Sequence, residues 1–259
     1  MKHSFSYMTL FFYTFFCISC HQHLTPQGAT GSNLEVKDQN GIPQLLGKTT
    51  RGKLRQAPYG DWFNKNYDAY PIDSVTVRQL HASLAGKRLM VFMGTWCGDS
   101  RREVPRFLKI LDCCGIDSAS IDIVTVSNAD SLYKQSPGHE EKGRDIFRVP
   151  DFIVLDQGKE MGRIVESPVT SLEKDLLSIT SGTAYTPHYQ GGALLAGVFR
   201  REKIRQVKKH LPQLTERLRP LVSFTGELSS YARVLRAAGQ PEKADIVQDL
   251  NARLFPAGR

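Results

Sequence analysis

The sequence predicts an α/β sandwich followed by an all-helical module. Strand-like runs, Leu89–Met93 and Ile121–Val126, flank a stripe at helical spacing. A second pair, Phe152–Leu155 and Met161–Val165, brackets the turn signal Asp156-Gln157-Gly158-Lys159. From Ala193 onward apolar residues recur at steps of three and four, with no alternating pattern. Strands separated by helical pattern assemble into a sheet with helices packed on it.

Composition sets the outer limits. A chain of 259 residues with 41% hydrophobic and 23% charged residues can bury one or two cores. These values exclude a disordered chain, a collagen-like fibre and a multi-span membrane protein. A net charge of +8 is basic, but falls short of a dedicated nucleic-acid binder, so no nucleic-acid partner is expected. Five cysteines do not make a disulfide scaffold, so any cysteine function is local.

Residues 1–19 read as a signal peptide. Lys2 is the only charge before residue 35, and Met8–Ile18 is an apolar run. The run is too short to span a bilayer as a helix and suits a signal-peptide core. It ends at Ile18-Ser19-Cys20, and a small residue directly before a cysteine resembles a bacterial lipoprotein signal. Cys17 stands where that signal usually has Leu. The resemblance implies lipidation of Cys20 and a membrane tether in the cell envelope or periplasm. The alternatives are an ordinary secretory signal, giving a secreted protein, or a short uncut anchor. In each case the mature chain works where disulfides persist. His21-Gln22-His23 lacks the third and fourth ligands a metal usually takes, so no metal site is expected. Residues 20–57, rich in Pro, Gly, Asn, Lys and Gln, read as tether.

The α/β unit is expected over 58–180. Tyr59, Trp62, Phe63, Tyr67 and Tyr70 recur at roughly helical spacing and predict a helix that covers a core. Residues 75–84 predict a second helix with Val75, Leu80 and Leu84 inward, broken by Gly86-Lys87-Arg88. Leu89–Met93 fits a strand buried on both faces. Val104, Phe107, Leu108 and Leu111 then mark a helix. Cys97, in Gly94-Thr95-Trp96-Cys97-Gly98-Asp99-Ser100, therefore sits where a buried strand hands over to a helix. A sulfur there meets unpaired backbone N–H groups and the positive end of the helix dipole, which favour thiolate. Arg101 and Arg102 add positive charge and Asp99 opposes it. The net expectation is a lowered thiol pKa. The strand at Ile121–Val126, the hairpin and a helix over Ser171–Ser178 complete the unit.

This pattern resembles the thioredoxin superfamily. The apolar strand, Trp96-Cys97-Gly98 and the following helix look like its active-site segment. Pro105 matches the proline that kinks that helix, Val149-Pro150 the cis-proline loop facing the active cysteine, and Gly158 the hairpin turn. The resemblance implies a three-layer sandwich, a nucleophilic Cys97, and a substrate cleft formed by Trp96, Gly98, Asp99, Val149 and Pro150. It implies no cofactor.

Two positions depart from the family. Ser100 replaces the usual second cysteine, so a mixed disulfide on Cys97 needs an external thiol to resolve it. Val91 occupies the position of the buried acid. Neither Cys113 nor Cys114 substitutes, because a helix rising about 1.5 Å per residue carries them beyond the roughly 7 Å that a disulfide allows between Cα atoms. The Ser100 hydroxyl either donates to a Cys97 thiolate or is an ordinary first-turn residue. Trp96 is expected to form an exposed apolar rim, with packing as its alternative role.

Residues 181–192 read as linker and 193–259 as a helical module. Ile204, Val207, Leu211, Leu214, Leu218 and Leu221 form a stripe divided by Pro212 and Pro220, which predicts a bent or broken helix. Tyr231, Ala232, Leu235, Ala244, Asn251 and Pro256 resemble one tetratricopeptide hairpin, with Gly239-Gln240-Pro241 as its turn. One repeat forms no solenoid groove, so its expected role is a cap or docking surface.

Two functions are expected. The first is an envelope protein that performs thiol–disulfide exchange through Cys97, with disulfide- or thiol-containing envelope proteins as partners. The second is a non-catalytic scaffold, motivated by Ser100 and Val91. A third reading is a glutathione or iron–sulfur site of the monothiol glutaredoxin kind, and the secretory signal argues against a cluster carrier.

Overall fold

The computed structural model describes Met1 and residues 33–256. The signal segment, Cys20 and His21-Gln22-His23 lie outside the described residues. Among the described residues no helix is long and apolar enough to cross a membrane.

The fold is mixed α/β. A six-stranded sheet runs in the order β1 (Leu34–Lys37), β2 (Pro43–Thr49), β4 (Ile121–Thr125), β3 (Arg88–Met93), β5 (Asp151–Asp156), β6 (Lys159–Val165). β3 and β4 are parallel, with Leu89 opposite Ile121 and Met93 opposite Thr125. Every other neighbouring pair is antiparallel. Successive side chains of β3 alternate between two apolar clusters, Leu89, Val91 and Met93 entering one and Met90 and Phe92 the other. A strand buried on both faces reads as the unbroken apolar run that it is.

The first cluster is covered by helices. It takes Leu54 from α1 (Arg51–Leu54), Phe63 from α2 (Gly60–Ala69), Leu80 from α3 (Ser74–Ser83), Phe107 and Leu111 from α4 (Gly98–Cys113), and Leu176 from α5 (Leu172–Ser181). Phe107 of α4 stacks on Phe152 of β5 with ring centroids 4.3 Å apart, both fully buried. Pro105 has no N–H for the Arg101 carbonyl, and Asn66 Nδ2 of α2 donates to that carbonyl instead at 3.2 Å.

The second face differs from the expected three-layer sandwich. Its cluster of Met90, Phe92, Val124, Val126, Ile146, Val149, Ile153 and Leu155 takes no residue from the interior of a helix. Between β4 and β5, where a second helical layer would start, the chain forms turns and one short 3-10 segment, Asp130–Leu132. Pro137, Gly138, Gly143 and the charged run Glu140-Glu141-Lys142 leave that segment no apolar stripe to bury.

The helical module has a core of its own. It comprises α6 (Gln190–Arg201), α7 (Ile204–Lys209), α8 (Leu211–Leu218), α9 (Thr225–Ala237) and α10 (Pro241–Leu254). Leu195, Leu214, Leu218, Leu228, Ala232, Ala244, Val247 and Leu250 bury together, and Phe147 of the α/β unit joins them. The Pro212 and Pro220 stripe is indeed broken: α7 and α8 meet at His210, and Pro212 lies in the first turn of α8.

Several expectations need correction. Residues 33–57 of the assumed tether are folded, because β2 enters the sheet beside β4. Its buried positions include Gln44, Gly47 and Thr49, so no apolar alternation shows in the sequence. Val75 is 59% exposed rather than inward. Asp73 caps α3 by accepting from Val75 N and Thr76 N, which turns Val75 to solvent and Thr76, Val77 and Leu80 inward. The final helix of the α/β unit runs to Ser181 before Gly182 ends it in the left-handed region at φ +71°. The 181–192 linker is shorter, since α6 starts at Gln190.

Candidate active site

Cys97 is the N-cap residue of α4, with extended backbone at φ −86° and ψ 126°. Met93 ends β3 and the Cys97 amide donates to Gly94 O at 3.0 Å, so a tight turn delivers the sulfur to the helix start. The residue is half-buried, and its thiol donates to Val149 O at 3.2 Å. Val149 and Pro150 lead directly into β5 through a cis peptide bond. The structure thus brings Cys97 and Val149, with the adjoining Pro150, together.

The neighbouring side chains are fixed by the junction. Trp96 is half-buried rather than an exposed rim: its Nε1 donates to Val126 O at 2.9 Å, and its indole lies over Gly94. A Cβ on Gly94 would meet that ring at 2.5 Å, so only glycine admits the indole there. Ser100 is fully buried and its Oγ accepts from Gly94 N at 3.2 Å. No hydrogen bond joins Ser100 to Cys97 among the described residues. Ser100 is therefore seen in the packing role, tying the strand end to the helix start. Gly98 is exposed, and Asp99 is paired with Arg102 at 2.8 Å in the first turn of α4. Arg101 turns away, donating from Nε to Thr95 O at 2.6 Å. Val91 is fully enclosed among apolar residues.

Sequence reasoning missed four residues around this cleft. Glu166 follows β6; its amide donates to Pro150 O at 2.7 Å and its carboxylate meets Arg148 at 3.2 Å. Burial raises the Glu166 carboxyl pKa, and the negative Asp99 raises it further, against the pull of Arg148. Arg148 also donates to Gly226 O at 2.6 Å and lies over the rings of Tyr189 and Phe224. Tyr133 and Lys134 sit on the loop after β4, with the Tyr133 ring 6.5 Å from Trp96. Lys134 is only 4% exposed. Burial lowers its ammonium pKa, and the nearby Arg148 charge adds to that, against the pull of Tyr133. No periodicity marks these positions; a Tyr-Lys pair in a polar loop carries no local signal.

The other cysteines are remote in character. Cys113 is exposed and Cys114 fully buried, and both are free. Burial pushes the Cys114 thiol up to about 11. Among the described residues, no group of three His, Cys, Asp or Glu side chains gathers to hold a metal.

Comparison with known proteins leaves the site without a named relative. No family model matches the chain, and no curated protein matches it. A solved structure from Pseudomonas aeruginosa, of a protein of unknown function, aligns at 17% identity. That alignment covers 50% of this chain and 87% of the other, with a TM-score of 0.38.

Proposed function

We propose that the chain is a thioredoxin-like protein of the cell envelope that performs thiol–disulfide exchange through Cys97. The observation that carries this reading is the half-buried Cys97 sulfur at the start of α4, 3.2 Å from the carbonyl that precedes Pro150. The parallel β3–β4 pair, the antiparallel β5–β6 hairpin and the strand-to-helix cysteine agree with a thioredoxin-like core. The antiparallel β2 and the missing second helical layer distinguish it from the standard sandwich.

In this reading the Cys97 thiolate attacks one sulfur of a partner disulfide. A Cys97–partner S–S bond forms, the partner's own S–S bond breaks, and the released thiolate takes a proton from water. A second thiol, from a small molecule or the partner itself, then attacks the mixed disulfide and frees Cys97. When the partner's own thiol attacks, the cycle is an isomerisation with no net change of redox state. When an external thiol attacks, Cys97 leaves and that thiol stays bonded to the partner's sulfur; a second such thiol then displaces it as a disulfide of the two small thiols, so two thiols are oxidised and the partner's disulfide is reduced. Ser100 takes no chemical part. Anchoring through a lipid on Cys20 belongs to the same proposal and would hold the site at a membrane surface.

The test is adduct formation with a disulfide-bonded model peptide. The proposal expects a mixed disulfide on Cys97, released by glutathione and absent from Cys97→Ser. An adduct spread equally over Cys97 and Cys113, or none, would remove the chemistry. The chain would then stand as a scaffold.

A further inference from the structure

The loop that faces Cys97 is held from behind by the helical module. Ile146 and Val149 enter the apolar cluster on the sheet, while Phe147 between them enters the core of the helices. The Phe147 side chain is buried, and its ring centroid lies 5.2 Å from that of Tyr231 of α9. The ring also rests on Gly192 in the first turn of α6, where any Cβ would collide with it. That glycine is thus one wall of a socket that admits this ring.

The main chain is held as well as the side chain. Ser230 Oγ of α9 donates to Phe147 O at 2.8 Å and accepts from Lys134 Nζ at 2.8 Å. Arg148 donates to Gly226 O at 2.6 Å, at the start of α9. Asp145 pairs with Arg200 of α6. On the far side of the loop, Glu166 N donates to Pro150 O at 2.7 Å. Asp145, Phe147 and Arg148 therefore all bond to α6 or α9. Two residues beyond Phe147, the Val149 carbonyl accepts from the Cys97 thiol at 3.2 Å.

We propose that Phe147 is a positioning residue: its seat in the helical module sets where the Val149–Pro150 loop stands opposite the Cys97 sulfur. The helical module then shapes the exchange cleft instead of capping it from outside. The inference rests on the exchange function proposed above. A partner disulfide that meets Cys97 also meets this loop, since Val149 O touches the sulfur. Exchange needs the two sulfurs close and aligned, so a shift of about 1 Å in the loop removes much of the rate.

The test compares two reagents on the full chain. A disulfide-bonded model peptide must fit the cleft, whereas iodoacetamide needs only a reachable sulfur. Phe147→Ala empties the socket and Gly192→Ala fills it. Either change should slow peptide adduct formation on Cys97 on the order of tenfold or more. Iodoacetamide labelling of Cys97 should keep its wild-type rate in both. Phe147→Leu refills most of the socket and should restore most of the peptide rate. Cys114, sealed in the core, should stay unlabelled in each variant, which a general loosening of the fold would not allow. Gly192→Ala carries the test if Phe147→Ala does not fold. If the variants form the peptide adduct at the wild-type rate, or if iodoacetamide labelling falls by the same factor, the inference is wrong and the exchange function survives. If wild-type Cys97 forms no peptide adduct, the exchange function itself fails, and the inference with it.

Discussion

Helix α4 has Cys97 as its N-cap and Cys114, next to exposed Cys113, as its C-cap, and the two capping cysteines sit in opposite surroundings. At the start, Cys97 caps the helix, half-buried, with its sulfur against Val149 O. At the finish, Cys114 is sealed in the core, and burial lifts its thiol to about 11. The dipole works in the same sense, since a helix start favours an anion and a helix end disfavours one. One helix thus presents one sulfur and silences another. On the proposed exchange function, burial and position rather than residue type separate the two sulfurs.

The largest expected effect breaks the comparison at its first term. Cys97→Ser is expected to lower adduct formation with a model disulfide by at least about 100-fold, since a hydroxyl does not replace a thiolate in exchange. Mass spectrometry of the non-reduced protein checks this. Cys114→Ala should leave the adduct yield unchanged.

Gly94→Ala tests how the first end is held. The new Cβ meets the Trp96 ring at 2.5 Å, so the indole must leave Gly94 or the turn must open. Overpacking of this kind is expected to destabilise by about 1–3 kcal/mol, read by urea denaturation. It should also slow exchange, because Trp96 and Cys97 share the same turn.

Cys114→Ala sharpens the second end. It leaves a small cavity and is expected to lower stability by about 1–2 kcal/mol at neutral pH. Its pH signature is more specific. The Cys114 thiol goes from 9.0 to about 11 on folding, so its contribution is full below pH 9. That contribution is lost as pH rises toward about 11, where the folded thiol also ionises. The wild type should lose stability across that window, and Cys114→Ala should lose less.

These two ends also mark how far a sequence can be read. The strand β3 was legible because a strand buried on both faces must be apolar throughout, and the Val104–Leu111 stripe was legible because α4 buries one face. Together they place Cys97 at a junction without further help. Strand β2 was not legible, because Gln44, Gly47 and Thr49 satisfy its buried positions through the sheet rather than through apolar contact. Lys134 and Ser230 were not legible either. They lie 96 residues apart, and only the docking of α9 brings them together. For Trp96 the rim and packing readings were both open, because its hydrogen bond to Val126 O, 30 residues away, has no local signal.

The smallest expected effect concerns the charges at the first end. Asp99 and Arg102 are largely solvated, so Asp99→Asn should change stability by no more than about 0.5 kcal/mol. Removing a negative charge one turn from the sulfur should quicken Cys97 alkylation by about two- to threefold at low salt, and less as salt screens it.

The most direct measurement is competition among the sulfurs of one native molecule. Limiting iodoacetamide at pH 6 is followed by peptide mass spectrometry of positions 97, 113 and 114. Label on Cys97 should exceed label on exposed Cys113 by about tenfold or more, with Cys114 unlabelled until the chain unfolds. Equal labelling of Cys97 and Cys113, or faster labelling of Cys113, would contradict the claim that the start of α4 carries the reactive sulfur.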